Sequence, residues 1–242
     1  MKHKKLIISL SLVLGLLIVA AFAFFIYVGI YYEADMEAIA EYKYEGFDIR
    51  AIDEGTVAYV PKAEYDTGIV FYPGGKVEYR AYIPLMQAIA SRGILCILVD
   101  MPFNLAVFDI DRADGVYEGF VSVDHWYMAG HSLGGSMACE YIADKGDIFE
   151  GVILLASYSA ADLSKTEFKV LSIYGSADTV LNKESYDESK ANLPKGYVEH
   201  LLPGGNHAYF GVYGEQSGDG EATLTNKEQI ELTASVIAEF VK

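Results

Sequence analysis

Short apolar runs alternate with helical stretches from Pro61 to the end of the chain. The runs have the length of β-strands, and the stretches between them have the length of helices. Strands that recur with intervening helices form βαβ units, which build a mostly parallel central sheet with helices on both faces. In such a sheet, ligands bind beyond the carboxyl ends of the strands. The pattern therefore predicts an α/β fold with its chemistry at one sheet edge.

The boundaries of these elements follow from the sequence pattern. The predicted strands after Pro61 are Gly68–Tyr72, Ile94–Asp100, Trp126–Ala129, Gly151–Ala156, Val170–Tyr174 and Tyr197–Leu202. The predicted helices are Tyr79–Arg92, Ile110–Asp124, Ser132–Lys145, Asn182–Leu193 and Thr225–Val241. Before them, Phe47–Ile52 and Thr56–Val60 flank a turn signal and predict a hairpin. Residues 47–242 thus form one predicted domain.

No charged residue occurs from Leu6 to Tyr32. At about 1.5 Å per residue, this segment more than covers a hydrocarbon core of about 30 Å. Lysines precede it and acidic residues follow it, which predicts residues 1–5 in the cytoplasm, a single-pass transmembrane anchor over residues 6–32 and the domain on the extracytoplasmic side. Residues 33–46 are then a stalk or a short helix. The alternative is a signal peptide cleaved after Ala21-Phe22-Ala23, which would release a secreted protein.

The chain is acidic, with 18 Lys and Arg against 34 Asp and Glu. Such a surface repels phosphate backbones, and there is no basic run with interleaved aromatic residues, so we expect no nucleic-acid partner. Cys96 and Cys139 fall within a predicted strand and a predicted helix and are interpreted as buried free thiols rather than a disulfide. The histidines are scattered and no Cys or His pair has ligand spacing, so we expect no metal or cofactor.

One motif suggests nucleophilic catalysis. Gly130-His131-Ser132-Leu133-Gly134 matches G-x-S-x-G and lies between a predicted strand and a predicted helix. Small flanking residues allow a sharp strand-to-helix turn that exposes the serine hydroxyl at the sheet edge. The alternative is a glycine-rich helix start at which Ser132 serves only as the N-cap.

With this motif, residues 47–242 resemble the α/β-hydrolase superfamily, and most of all its small lid-less members, the dienelactone-hydrolase-like group. The resemblance implies a nucleophile, an acid and a histidine in that chain order. Asp178 follows a predicted strand and is the candidate acid, although a turn residue or a helix cap would look alike. His207 follows the last predicted strand, and the other four histidines lie before the anchor, in strands or in the motif itself. His207 is therefore the candidate base.

A catalytic serine also needs backbone donors for the developing oxyanion. Pro73-Gly74-Gly75-Lys76 follows a predicted strand where the family usually carries a His-Gly motif, so Pro73 departs from that pattern. Either Gly75 or Lys76 is expected to supply one N–H group, and Leu133 the other. For the substrate pocket, the candidates are Phe103 and Leu105, from an apolar loop that core packing would explain equally well, and Tyr209.

The residues together predict a serine hydrolase that cleaves a small carboxylic ester through an acyl-enzyme. Two alternatives keep the same catalytic residues: an acyltransferase, and a thioester or amide hydrolase. A third is a non-catalytic binding protein on the same fold. The expected partners are a small ester-like molecule and the membrane.

Overall fold

A computed structural model describes residues 2–242, including the side chains of all of these except residues 2–9 and 147. The chain divides into two compact units, residues 1–31 and residues 32–242. The second unit is built on an eight-stranded sheet in the order β1-β2-β4-β3-β5-β6-β7-β8. β1 and β2 pair antiparallel, as do β2 and β4, and every other neighbouring pair is parallel. This is the predicted α/β architecture.

The elements follow one another in the expected alternation. The strands are β1 Phe47–Asp53, β2 Thr56–Pro61, β3 Thr67–Tyr72, β4 Leu95–Val99, β5 His125–His131, β6 Phe149–Leu155, β7 Lys169–Gly175 and β8 Val198–Leu202. The helices are α1 Lys2–Gly29, α2 Met36–Ile39, α3 Ile83–Ala90, α4 Leu133–Lys145, α5 Lys183–Ser189 and α6 Asn226–Phe240. All eight predicted strands are therefore confirmed.

The central strands β3, β4 and β6 are buried on both faces, with alternate residues pointing to opposite sides of the sheet. In β3, Ile69 and Phe71 belong to one apolar cluster and Val70 and Tyr72 to the other. Helices α3 and α6 cover the first face and contact each other, whereas α4 covers the second. This two-sided burial explains why the central strands read as continuous apolar runs.

The helix predicted over Ile110–Asp124 is wrong. Only a 3₁₀ turn, Ile110–Ala113, forms at its start. Gly115 has a φ of 74°, which the interior of an α-helix does not allow. The hydroxyl of Tyr72 also engages the turn, since it donates to the Ile110 carbonyl at 2.5 Å and accepts from the Ala113 N–H at 3.0 Å. A side chain distant in sequence thus takes backbone groups that a helix would have paired.

Residues 33–46, which the sequence set apart as a stalk, belong to the second unit and pack on its core. They contain the one-turn helix α2, and Ile39 is buried in the cluster beneath α3 and α6. Tyr42 donates from its hydroxyl to Asn226 Oδ1 at 2.6 Å. This segment is a structural part of the domain rather than a free spacer.

The cysteines are free and buried, as predicted, and burial raises the pKa of both thiols. The first unit consists mainly of α1. Its stretch Leu10–Gly29 has a mean hydropathy of 2.7 and satisfies the length and composition of a membrane span. A signal sequence meets the same criterion.

Candidate active site

Four loops of the candidate site leave the carboxyl ends of parallel strands. β3 leads into the loop of residues 73–76, β5 into Ser132, β7 into the loop of Asp178 and β8 into the loop of His207. The chain passes from β3 to β4 on one side of β3 and then to β5 on the other. A crevice opens beyond the strand ends at such a switch point. The sheet topology therefore brings these residues, far apart in sequence, to one edge.

Ser132 occupies a strained turn between β5 and α4. Its φ of 51° and ψ of −121° are unusual for a residue other than glycine. A Cβ on Gly130 would lie 2.5 Å from the backbone carbonyl carbon of Gly134, and one on Gly134 would lie 2.2 Å from the Pro73 carbonyl oxygen. Only glycine fits at either position. The tight turn is thus enforced by the glycines of the motif, and Ser132 is the residue at its apex.

His207 and Asp178 form a buried pair. His207 Nδ1 lies 2.9 Å from Asp178 Oδ2, and their side chains are 2% and 0% exposed. The second carboxylate oxygen of Asp178 accepts the N–H groups of Val180 at 2.9 Å and Leu181 at 2.8 Å. Asp178 therefore holds a turn with one oxygen and the imidazole with the other. Asp178 is thus a turn residue that also contacts His207, and its role as the catalytic acid stays a prediction.

The two candidate oxyanion donors of the β3 loop differ in their hydrogen bonds. The Lys76 N–H donates to the Asn104 carbonyl at 2.7 Å. Gly75 packs directly on Leu133, since a Cβ at Gly75 would lie 2.9 Å from Leu133 Cδ2. Within residues 2–242, the N–H groups of Gly75 and Leu133 donate to no other group of the protein. The structure therefore favours Gly75 over Lys76.

Ser132 and His207 line the same cavity, which has a volume of about 260 Å³. No hydrogen bond joins the Ser132 hydroxyl to the His207 ring in the described part of the chain. Such bonds are often long in an unliganded site and shorten when substrate binds. The apolar part of the cavity wall is formed by Leu133, Val180 and Leu181. Their backbone positions are set by the serine turn and by Asp178, so the same loops shape the pocket and carry its polar groups.

Phe103, Leu105 and Tyr209 do not line this cavity, contrary to the expectation from the sequence. Leu105 is buried, and its Cδ2 would lie 3.6 Å from a Cβ at Gly75. Phe103 is exposed at the surface. Tyr209 lines a separate cavity of about 420 Å³ beyond the His207 loop. The loop after β4 thus packs against the loop of residues 73–76. The residues that follow Asp178 form the pocket wall.

A profile of the alpha/beta hydrolase family matches residues 68–231. The chain belongs to the α/β-hydrolase family. The crystal structure of dienelactone hydrolase from Anabaena variabilis is similar with a TM-score of 0.58 and 14% identity, over 82% of this chain and 100% of that one. Est1E from Butyrivibrio proteoclasticus has a TM-score of 0.57 and 17% identity, over 81% and 99%. At such low sequence identity, the similarity to these two structures shows the fold alone. No curated protein sequence matches the chain.

Family membership supports a hydrolase activity, and this α/β hydrolase holds its candidate residues with side chains that sequence reasoning missed. Asp219 is the first of these. Its Oδ2 accepts the Ala208 N–H at 2.9 Å, beside His207, and its Oδ1 accepts the Thr179 N–H at 3.4 Å, beside Asp178. The glycines around Asp219 indicate a turn in the sequence, but they do not reveal its partners. Asp219 links the acid loop to the histidine loop.

Gln229 of α6 is the second support. It is fully buried, accepts the Asn206 N–H at 3.0 Å and donates to the Asn206 carbonyl at 2.8 Å. Both backbone groups of the residue before His207 are therefore held by one amide. A buried glutamine on a helix is unusual enough to be a signal, but only the fold identifies its target.

His131 is the third support, and it occupies the variable position of the serine motif in this α/β hydrolase. The Tyr82 hydroxyl accepts the Gly74 N–H at 3.0 Å and lies 2.8 Å from His131 Nδ1. A hydroxyl that accepts the Gly74 N–H keeps its own proton to donate to Nδ1, and with this direction we infer a neutral His131 with its proton on Nε2. Burial, with a smaller effect of the His207 ring, lowers the His131 pKa well below its ordinary value. Its ring centroid lies 4.6 Å from that of His207, so a neutral ring packs against the candidate base.

Among the described residues, no group of three or more His, Cys, Asp or Glu side chains is arranged to hold a metal ion. The cavity that Ser132 and His207 share holds a hydroxyl and an imidazole, the two groups that nucleophilic catalysis by serine requires.

Proposed function

We propose that the protein is a serine hydrolase that cleaves small carboxylic esters. The observation that carries this proposal is the buried hydrogen bond between Asp178 and His207, at the wall of a cavity that Ser132 also lines. An imidazole held by a carboxylate on one nitrogen can accept a proton on the other. Ser132, at a strained strand-to-helix turn in the same cavity, is the proposed nucleophile for that second nitrogen to activate.

The mechanism follows from these positions. The His207 Nε2 takes the proton of the Ser132 hydroxyl as its oxygen attacks the ester carbonyl, while Asp178 keeps the Nδ1–H tautomer and stabilises the imidazolium. The proton then passes to the leaving alcohol, and an acyl-enzyme remains on Ser132. Water, deprotonated by His207, attacks this acyl group; the bond to the Ser132 oxygen breaks, the acid is released, and His207 returns the proton to that oxygen. Each step uses a group that lines the cavity.

The N–H groups of Gly75 and Leu133 are the proposed oxyanion donors. Gly75→Ala places a methyl group 2.9 Å from Leu133 Cδ2 and 3.2 Å from Leu133 Cβ, so Leu133 or residue 75, the two proposed donors, must shift. We expect kcat for p-nitrophenyl acetate to fall by about 10- to 100-fold, because a shifted donor no longer meets the oxyanion. Steady-state kinetics on the purified variant measure this loss.

Lys76→Ala is the matched control for this prediction. The N–H of residue 76 is committed to Asn104 whatever its side chain, so kcat should stay within about threefold of wild type. A loss in Lys76→Ala as large as that in Gly75→Ala would contradict the assignment of the donor to Gly75.

The cavity size indicates a short acyl group. Its volume of about 260 Å³ lies below the roughly 300–1,000 Å³ usual for ligand pockets, and Val180 and Leu181 close one side. We expect kcat/KM for p-nitrophenyl acetate and butyrate to exceed that for the octanoate by at least about tenfold, since the longer chain finds no wall to bury against. A panel of p-nitrophenyl esters of graded length measures this profile. A maximum at the octanoate would contradict the proposed substrate size.

We further propose that α1 anchors the protein in a membrane with the hydrolase domain outside the cytoplasm. The apolar stretch Leu10–Gly29 and the lysines before it support this placement. Protease added to intact cells should digest the domain while a cytoplasmic marker protein survives. Survival of the domain would reverse the topology. A soluble chain beginning at Phe24, identified by mass spectrometry, would instead establish cleavage of the segment and secretion.

A further inference from the structure

Tyr32 is the first residue of the second unit, and it pairs with the loop that follows β3. Its N–H donates to the Lys76 carbonyl at 2.8 Å, and its own carbonyl accepts the Glu78 N–H at 2.9 Å. The two bonds form a parallel bridge between Tyr32 and Val77. Lys76 directly follows Gly75, the proposed oxyanion donor. The segment after the apolar helix is therefore joined by backbone hydrogen bonds to the end of the loop of residues 73–76.

The next residues extend this attachment to a second loop. The Ala34 N–H donates to Glu78 Oε2 at 2.9 Å, and the Asp35 N–H donates to the Val212 carbonyl at 3.0 Å. Val212 lies five residues after His207 in the sequence. Residues 32–35 thus bind the loop after β3 on one side and the chain that continues from the candidate base on the other.

The Tyr32 side chain is connected to the loops of Asp178 and His207 through the segment that contains Ser217 and Asp219. Its ring lies 5.5 Å from that of Tyr213, and its hydroxyl accepts the Ser217 N–H at 3.2 Å. Two residues further on, Asp219 accepts the N–H groups beside His207 and Asp178. The Tyr32 backbone therefore contacts the loop of residues 73–76. The Tyr32 side chain contacts the segment whose Asp219 holds the loops of Asp178 and His207.

We propose that residues 32–35 are a positioning element of the active site, with Tyr32 keeping the oxyanion donors in register with the serine, histidine and aspartate. This inference rests on the proposed function. Misplacing a catalytic group by about 1 Å can cost on the order of 100-fold in rate without loss of the fold. The segment that joins the apolar helix to the domain is therefore required for turnover and not only for tethering.

The test uses the full-length chain in detergent micelles and compares Tyr32→Ala with Tyr31→Ala. Tyr31 is an exposed residue of the same type, next in sequence, and serves as the matched control. Fluorophosphonate labelling carried to completion counts the competent serines, and p-nitrophenyl acetate kinetics give kcat per labelled site. For Tyr32→Ala we expect kcat per labelled site to fall about 10- to 100-fold, with KM within about twofold of wild type. Tyr31→Ala should match wild type in both.

A purely structural role predicts a different result. If Tyr32→Ala lowers the number of labelled sites but leaves kcat per labelled site unchanged, the inference is overturned. Should this variant fail to fold, Glu78→Ala and Glu78→Gln decide. Alanine removes the acceptor of the Ala34 N–H, whereas the glutamine oxygen retains it, so only Glu78→Gln should keep kcat near that of wild type. Equal kcat per labelled site in the two variants and wild type overturns the inference.

The proposed function fails in a distinguishable way. A wild-type chain that neither takes the label nor hydrolyses any ester of the panel overturns the proposed function, and this inference with it. If wild type is labelled and active, and Tyr32→Ala keeps the wild-type kcat per labelled site, only this inference is overturned.

Discussion

Ser132→Ala should lower kcat for p-nitrophenyl acetate by about 10⁴- to 10⁶-fold and abolish covalent labelling by a fluorophosphonate. The reason is that the acyl-enzyme forms on the Ser132 hydroxyl, at the apex of a turn that glycines enforce. Backbone donors and substrate binding remain in the variant, and they account for the residual rate. Steady-state kinetics and intact-protein mass spectrometry measure the two effects.

Ser136→Ala is the matched control for this experiment. Ser136 lines the same cavity, but it lies within α4, one helical turn after Ser132, and its hydroxyl donates to the Tyr158 carbonyl at 2.6 Å. The Ser136→Ala variant should still take up one label per chain. Loss of labelling in this variant, with labelling retained in Ser132→Ala, would move the nucleophile to Ser136.

His207→Gln should reduce kcat by a similar factor, about 10⁴- to 10⁶-fold, since the residues of such a site act as one unit. Asp178→Asn should reduce it by about 10³- to 10⁴-fold. Asparagine keeps an oxygen for the N–H groups of Val180 and Leu181, but its amide presents N–H donors toward His207 Nδ1 and favours the wrong tautomer. The loss should therefore appear in kcat while the thermal unfolding temperature stays near that of wild type.

His200→Gln is the histidine control, because His200 lies within β8 rather than beyond it. It should retain kcat within about threefold. If His207→Gln were as active as His200→Gln, His207 would have no part in the reaction. Equal kcat for Asp178→Asn and wild type would leave Asp178 with its turn-forming role only.

The sequence alone predicted the elements whose signals are local. Apolar runs of strand length identified all eight strands, and the strand-to-helix context of G-x-S-x-G identified the turn at Ser132. Chain order and the position after a strand end pointed to Asp178 and His207, which the structure brings within 2.9 Å of each other. The strand predictions are confirmed because hydrophobic period and turn chemistry are properties of neighbouring residues. Asp178 and His207 lie together because the carboxyl ends of parallel strands share one edge, and their catalytic roles stay predictions.

The tertiary structure decided what depends on contacts between distant residues. The region 110–124 is not a helix because the Tyr72 hydroxyl engages its first turn and Gly115 takes a left-handed conformation. Gly75 is favoured over Lys76 because Asn104, on another loop, takes the Lys76 N–H. The pocket wall comes from residues after Asp178, not from Phe103 or Tyr209. A hydrogen bond needs both partners within about 3 Å, and a sequence pattern specifies only one of them. For the same reason, Asp219 and Tyr32 acquired their places around the site only when the chain was folded.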